Sequence, residues 1–62
     1  MALQRFVVTI EGPGFTDVQE AELHALPENG ELIETKLGTC VVRHAEASAN
    51  GDYAGSITCR LP

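Results

Sequence analysis

Every second residue near the start of the chain is large and apolar. Within residues 5–11 these alternate positions fall on one face of an extended chain, and the residues between them fall on the other. A period of two with this content of Val, Ile and Phe is typical of a β-strand. Glycine and proline at positions 12–14 then predict a turn. The apolar face of this first predicted strand consists of Phe6, Val8 and Ile10.

Residues 16–26 fit two different elements. As a helix, the segment has a capping residue in Thr16 or Asp17, and its Glu, Ala and Leu residues favour the helical state. The apolar stripe of that helix is poor, however, because Glu22 falls inside it. As a strand, residues 18–23 pair with the first strand across the turn. We predict the strand, with a helix over residues 16–26 as the alternative.

Short strands and turns follow one another in the rest of the chain. Asn50 and Gly51 form the strongest hairpin signal, because both residue types accept a positive φ. Short strands at such spacing are typical of compact all-β domains. In order, the predicted elements are a turn over 26–31, a strand over 32–35, a turn over 36–39, a strand over 40–47 and a strand over 53–61.

Five strands predict an all-β fold for a single small domain over residues 1–62. Five antiparallel strands can curl into a small barrel or a strongly bent sheet that leaves little edge exposed. The alternative is an α+β fold of one strand, a helix over 16–26 and three strands. The order Leu-Pro-x-x-Gly-Glu-x-Ile, short turn, strand and Asn-Gly hairpin in residues 26–62 resembles that of small Src-homology-3-like barrels. This resemblance implies a fold and no site, because its turn chemistry is generic.

The chain is acidic, with nine Asp and Glu residues against four Lys and Arg and a net charge of −5. Its four cations are isolated, whereas nucleic-acid-binding proteins carry a basic patch. We therefore expect no nucleic-acid partner and interpret the acidic residues as a solvated face. The chain has no run of about 18 apolar residues that would predict a membrane span. An apolar stretch after a basic start would predict export. The chain has no such stretch, so we expect a cytoplasmic protein.

Two cysteines, Cys40 and Cys59, fall on one face of the final predicted hairpin. A hairpin centred on Asn50 and Gly51 sets Val42 opposite Cys59, and a loop shifted by one residue sets Cys40 opposite Cys59. In a reducing cytoplasm we expect two free thiols, buried as small hydrophobic side chains. The alternatives are a redox-sensitive disulfide, which requires Cα atoms within about 7 Å, or half of a metal site. Zinc prefers four ligands with paired spacing, which the chain lacks, so we expect neither metal nor cofactor.

No group of residues predicts an enzyme. In simple alternation His44 shares a face with Cys40, but four residues of strand separate the two by about 13 Å, too far for a Cys-His nucleophile. We expect the His44 ring to cap the core beside Tyr53. Glu20 and Glu22 form a carboxylate pair, but acid–base catalysis requires a desolvated cleft, and so short a chain has room for little more than its core.

Two functions fit these features. The first is a small non-enzymatic domain that serves as a protein-interaction or structural module, with a partner that the sequence does not identify. A second apolar row supports a homodimer contact, because only one face of a small barrel is interior. The alternative function is thiol-based redox sensing or metal binding through Cys40 and Cys59. The predicted self-association patch comprises Val7, Val41 and Ile33, or Leu32 in place of Ile33.

Overall fold

The computed structural model describes residues 2–48 and 51–62, so Asn50 of the predicted Asn-Gly turn lies outside the described residues. The described part contains five strands and no helix: β1 (Gln4–Gly12), β2 (Phe15–Leu23), β3 (Leu32–Thr35), β4 (Gly38–Ala47) and β5 (Gly55–Arg60). They form one sheet in the order β2-β1-β5-β4-β3, curled into a half-barrel. The predicted all-β, barrel-like fold class is confirmed. A search of the described residues finds no helix of the length and apolarity needed to cross a membrane.

A two-residue turn makes β2 a strand rather than a helix. Gly12 lies opposite Phe15, so Pro13 and Gly14 alone connect β1 to β2. Gly14 has a φ of 81°, a conformation that glycine adopts without the steric cost that a side chain would bring. The turn aligns all nine residues of β2 with β1, and this pairing outweighs the local preference for helix. The alternative helix over residues 16–26 is therefore wrong.

One strand pair departs from the antiparallel prediction. β1 and β5 run parallel, with Phe6 opposite Gly55 and Ile10 opposite Cys59, whereas the other three pairs are antiparallel. β1 and β5 each carry a continuous row of buried side chains. A strand with such a row is stabilised most when it pairs with a neighbouring strand on each side. The sheet is therefore mixed, and the parallel pair joins the β1–β2 hairpin to the β3–β4–β5 meander.

The core lies on the inner face of the curled sheet. Phe6, Val8 and Ile10 of β1 are almost fully buried, as predicted. Small or partly buried side chains pack around this core and extend it towards β2. The other buried hydrophobic residues of the described chain are Ile33, Cys40, Val42, Ile57 and Cys59.

A β-bulge interrupts β4 at Arg43. Val42 lies opposite Cys59, in the first of the two predicted registers, but His44 lies opposite Thr58. Arg43 is the extra residue, and beyond it the alternation of inner and outer side chains is reversed. The predicted strand over 40–47 is confirmed, but the face assigned to its second half is wrong.

Replacing Gly55 with alanine is expected to destabilise the fold by about 1–3 kcal/mol. Gly55 is buried, and a Cβ at this position would collide with the backbone carbonyl oxygen of Glu46. Urea unfolding followed by circular dichroism measures the change. The matched control is Ser56→Ala, at the exposed neighbouring position, where we expect a change below about 0.5 kcal/mol. Equal stability of Gly55→Ala and the parent chain would contradict the close approach of β4 and β5.

Candidate functional site

The two end strands of the sheet, β2 and β3, leave a groove between them. Each has one neighbouring strand in the sheet, so the half-barrel is open along this side. A cavity of about 340 Å³ lies there, with Val8, Ala21 and Leu23 as its apolar lining. We term this cavity the edge groove. Its polar rims include Glu20 and Glu22 of β2 on one side and Glu34 and Lys36 on the other.

A hydrogen bond spans the edge groove where β2 approaches the β3–β4 turn. The backbone amide of Lys36 donates to Gln19 Oε1 at 3.3 Å. Gln19 Nε2 donates to Asp17 Oδ2 at 3.0 Å, which orients the side-chain amide of Gln19. Thr35 Oγ1 donates to the carbonyl oxygen of Gly38 at 2.7 Å and so closes the turn on the other side. β2 therefore meets the turn through a side chain and not through strand pairing.

The backbone of β2 directs one row of peptide groups away from β1. The carbonyl oxygens of Arg5 and Glu11 accept hydrogen bonds from the amides of Ala54 and Leu61. The backbone N–H and C=O groups of the odd-numbered residues of β1 therefore point towards β5. Backbone groups of successive residues in a strand point to opposite sides, so the even-numbered residues of β1 form their backbone hydrogen bonds with β2. The residues of β2 that lie opposite them are odd-numbered. Within the described residues, β2 pairs with no second strand. The residues whose backbone groups point outward, which we term the free edge, are Thr16, Val18, Glu20 and Glu22.

The charges around the edge groove are mainly negative. Glu20 and Glu22 are exposed on β2, and Glu34 is exposed on β3 across the groove. Lys36 is the one basic residue among those that line the edge groove. A second cavity of about 510 Å³ adjoins the same edge and is lined by Glu20, Glu22 and Lys36 together with Arg5. The negative charges thus flank the free edge on its exposed side.

Tyr53 anchors one of these carboxylates. Its hydroxyl group donates to Glu20 Oε2 at 2.6 Å. This hydrogen bond, burial and the negative charge of Glu20 raise the pKa of Tyr53 above its ordinary value of 10.0, while Arg5 opposes the shift. A carboxylate accepts hydrogen bonds through both of its oxygens, so Glu20 has a second oxygen for a further partner.

The structure joins Cys40 and Cys59 in a disulfide. Their Cα atoms are 5.7 Å apart, although Val42 is the residue directly opposite Cys59. The bond therefore runs diagonally between adjacent strands. Both cysteines are fully buried, as expected, but the expectation of two free thiols is wrong. The available signal was the placement of both cysteines on one face of paired strands, which brings diagonal neighbours within bonding range.

A buried disulfide acts as a structural crosslink. Its sulfur atoms are shielded from reductants in solution, and zinc binds thiolates rather than disulfide sulfurs. Among residues 2–48 and 51–62, no three His, Cys, Asp or Glu side chains form a group that could hold a metal ion. Cys40 and Cys59 thus lie together in space, within the Cα distance that the predicted redox-sensitive disulfide requires, and their oxidised form offers no thiolate to a metal ion.

His44 lies on the outer face of the sheet. Its side chain is exposed, and Nε2 is 2.8 Å from Oε1 of Glu46. The prediction that its ring caps the core beside Tyr53 is wrong, because the bulge at Arg43 moves His44 to the opposite face. Ala45 takes the inner position instead.

The predicted self-association patch contains one core residue. Ile33 is only 8% exposed and lies opposite Cys40. Leu32 is 63% exposed and lies opposite Val41 on the outer face. Including Ile33 in the patch is therefore wrong, and Leu32 is the β3 residue that accompanies Val41.

Val7 lies apart from that pair. Val7 is opposite Ser56 on β5, whereas Val41 is opposite Arg60. Four residues of strand separate these two positions on β5, a distance of about 13 Å. Val7 and Val41 therefore do not form one continuous apolar surface.

Reduction of the disulfide is expected to lower the free energy of unfolding by about 3 kcal/mol, because a crosslink between residues 19 apart restricts the unfolded chain. Urea unfolding with and without dithiothreitol measures the difference. The control is the double variant Cys40→Ala/Cys59→Ala, whose stability should not respond to the reductant. Because the sulfurs are buried, we expect slow reduction of the native chain. Reduction as fast without urea as with it would contradict their burial.

Replacing Glu20 with glutamine is expected to lower the pKa of Tyr53 towards 10.0, because the acceptor loses its charge. Ultraviolet absorbance of the tyrosinate measures the titration of this single tyrosine. The raised pKa also means that the protonated Tyr53 hydroxyl group stabilises the folded chain through this hydrogen bond. That stabilisation is complete below the ordinary pKa of tyrosine and is lost as the pH rises through the higher pKa of Tyr53 in the folded chain. Arg5→Gln should shift the pKa upward, and Glu46→Gln is the control. An unchanged titration in Glu20→Gln would exclude this hydrogen bond in solution.

Comparison with known proteins gives no match. No protein-family model, no curated protein and no solved structure matches the chain. Its function is therefore inferred from the edge groove, the free edge and the charges around them.

Proposed function

We propose that this chain is a non-enzymatic protein-interaction module that binds an extended segment of a partner protein along the free edge of β2. The observation that carries the proposal is the row of outward-facing peptide groups beside an open, partly apolar groove. An extended segment adds to such an edge as a further strand, with affinity from main-chain hydrogen bonds and specificity from alternate side chains.

The length and position of the free edge support strand addition. It runs from Thr16 to Glu22, long enough for the short strands that sheets commonly contain. A strand added there would point every second side chain towards Ala21 and Leu23, which are half-buried at the groove. The added strand would cover apolar surface and extend the half-barrel on its open side. Both gains favour a bound segment over water at this edge.

The groove carboxylates favour binding over catalysis. Glu20, Glu22 and Glu34 are all solvent-exposed, whereas general acid–base catalysis uses carboxylates whose pKa values are shifted by a desolvated cleft. Tyr53 donates a hydrogen bond to Glu20 Oε2. A rim of exposed carboxylates is suited to recognising a partner of opposite charge.

A partner protein is a better occupant than a second copy of this chain. β2 carries Asp17, Glu20 and Glu22 within six residues, so two copies joined at this edge would bring two such clusters together. The pair of exposed Leu32 and half-buried Val41 is small, and Val7 lies away from it. Self-association, expected from the sequence, is therefore kept as an outcome of the test. Nucleic acid is disfavoured by the same negative charge.

The thiol-based alternative has less support. Its two residues, Cys40 and Cys59, are bonded to each other and fully buried, so they offer no thiolate to a metal ion and little access to a reductant in solution. A disulfide of this kind is more typical of oxidising compartments than of the cytoplasm. The crosslink therefore does not support the cytoplasmic location expected from the sequence.

Substituting Val18 with proline is expected to weaken binding of an extended peptide about tenfold, because proline removes an amide of the free edge. The probe is a set of displayed peptides of nine residues, the length of β2, selected against the folded chain. Chemical shifts of the backbone amides then locate the bound peptide, and we expect the largest changes at Thr16, Val18, Glu20 and Glu22. Val18→Ala, which keeps the amide, is the control. Thermal unfolding checks that both variants fold.

Two results would overturn this proposal. In the first, selected peptides shift the amides of Leu32 and Val41 and leave the free edge unchanged. In the second, the unliganded chain is a dimer in light scattering, with the amides of Val18 and Glu20 already protected from exchange. The second result would assign the edge to a second copy of the chain.

A further inference from the structure

We infer, resting on the proposed function, that the segment bound at the free edge is cationic, with Lys or Arg opposite Glu20 and Glu22 and apolar residues between them. The edge groove thus selects an extended basic segment of a partner protein. The juxtaposition behind this inference is a pair of exposed carboxylates whose own backbone groups face the open edge.

The outer face of the free edge sets the spacing of the positive charges. Glu20 and Glu22 lie two residues apart on one face of β2, a separation of about 7 Å. A residue placed opposite each of them in an added strand would have its Cβ atom within about 5.5 Å of the Cβ of the glutamate. Two basic residues that are themselves two apart in an extended segment match this spacing. Opposite charges across a strand pair are favourable, and like charges are unfavourable.

Tyr53 helps to present one of these charges. Its hydroxyl group holds Glu20 Oε2 at 2.6 Å, which reduces the freedom of that side chain before a partner binds. Ordering a side chain in advance lowers the entropy cost of binding. The other oxygen of Glu20 has the capacity to accept a bond from an ammonium or guanidinium group.

The inner face sets the residues between the charges. Ala21 and Leu23 alternate with the two glutamates and are half-buried next to Val8. Side chains of the added strand that point inward would meet this apolar lining. Ala21 is short and lines the cavity, so apolar residues such as valine suit these positions.

Lys36 competes with the incoming segment. It lines both cavities that flank β2 together with Glu20 and Glu22, and its backbone amide bonds to Gln19 Oε1 across the groove. A bound basic segment would bring positive charge to a groove whose lining already includes Lys36. Removing the charge of Lys36 should therefore tighten the binding of a basic segment. The same change should weaken the binding of an acidic segment.

The test uses three acetylated peptides of nine residues, the length of β2, with valine at alternate positions and Lys, Thr or Glu at the others. Fluorescence anisotropy measures their affinity for the full chain. We expect the Lys peptide to bind about tenfold more tightly than the Thr peptide, and the Glu peptide to bind least. The difference should fall as salt rises from about 0.05 M to about 0.5 M.

Variants of the chain assign the preference to the two glutamates. Glu20→Gln/Glu22→Gln should weaken the Lys peptide about tenfold and leave the Thr peptide within about twofold. The matched control is Glu28→Gln/Glu46→Gln, which removes the same charge away from the edge groove and should leave both peptides within about twofold. Lys36→Gln should tighten the Lys peptide about threefold.

The remaining outcomes distinguish failure of the inference alone from failure of the inference and the proposed function together. Equal affinity of the Lys and Thr peptides, with both weakened by Val18→Pro, overturns the cationic preference and leaves strand addition in place. Lys-peptide binding that Val18→Pro does not affect, and that both double variants weaken equally, indicates general attraction to an acidic chain and overturns the inference. Failure of all three peptides to bind overturns the inference and the proposed function together.

Discussion

The parallel pairing of β1 with β5 is the constraint on which the rest of the sheet depends. It is the only link in the sheet between the β1–β2 hairpin and the β3–β4–β5 meander of the described chain. Phe6 lies opposite Gly55 at one end of this pair, and the absence of a side chain at Gly55 lets β4 approach closely. Curvature of the joined sheet then brings β2 to the β3–β4 turn, where Lys36 bonds to Gln19. The edge groove exists because the two units are joined in this way.

Local sequence patterns predicted the strands. The bulge in β4 and the order of the strands depend on long-range contacts, which local patterns do not contain. The strand over 32–35 follows from the turns on either side of it, and the buried row that starts at Phe6 follows from a period of two; both signals are local. The bulge at Arg43 has no such signature, because one extra residue is accommodated only when β4 pairs with β5. The open edge of β2 is likewise set by strand order, so the role of its acidic residues beside a groove could not be predicted from their spacing.

Acidic side chains give β2 a selective edge. An exposed strand of nine residues is a ready template for pairing with other chains, and charge is one of the means by which proteins limit this hazard. Asp17 points to the inner face, opposite Ile10, while Glu20 and Glu22 occupy the outer face. Negative charge on both copies disfavours pairing of two chains at this edge. On the proposed function, the same residues would also select a partner of opposite charge.

The Cys40–Cys59 crosslink lies wholly within the meander, between β4 and β5. The β1–β2 hairpin has no covalent tie of this kind and is held by hydrogen bonds and by the packing of Phe6, Val8 and Ile10. Partial opening costs least where the fewest constraints must be broken. Separating the hairpin from the meander breaks no covalent bond, but it exposes Phe6, Val8 and Ile10 to water, so the free edge depends on the same buried row that holds β1 against β5.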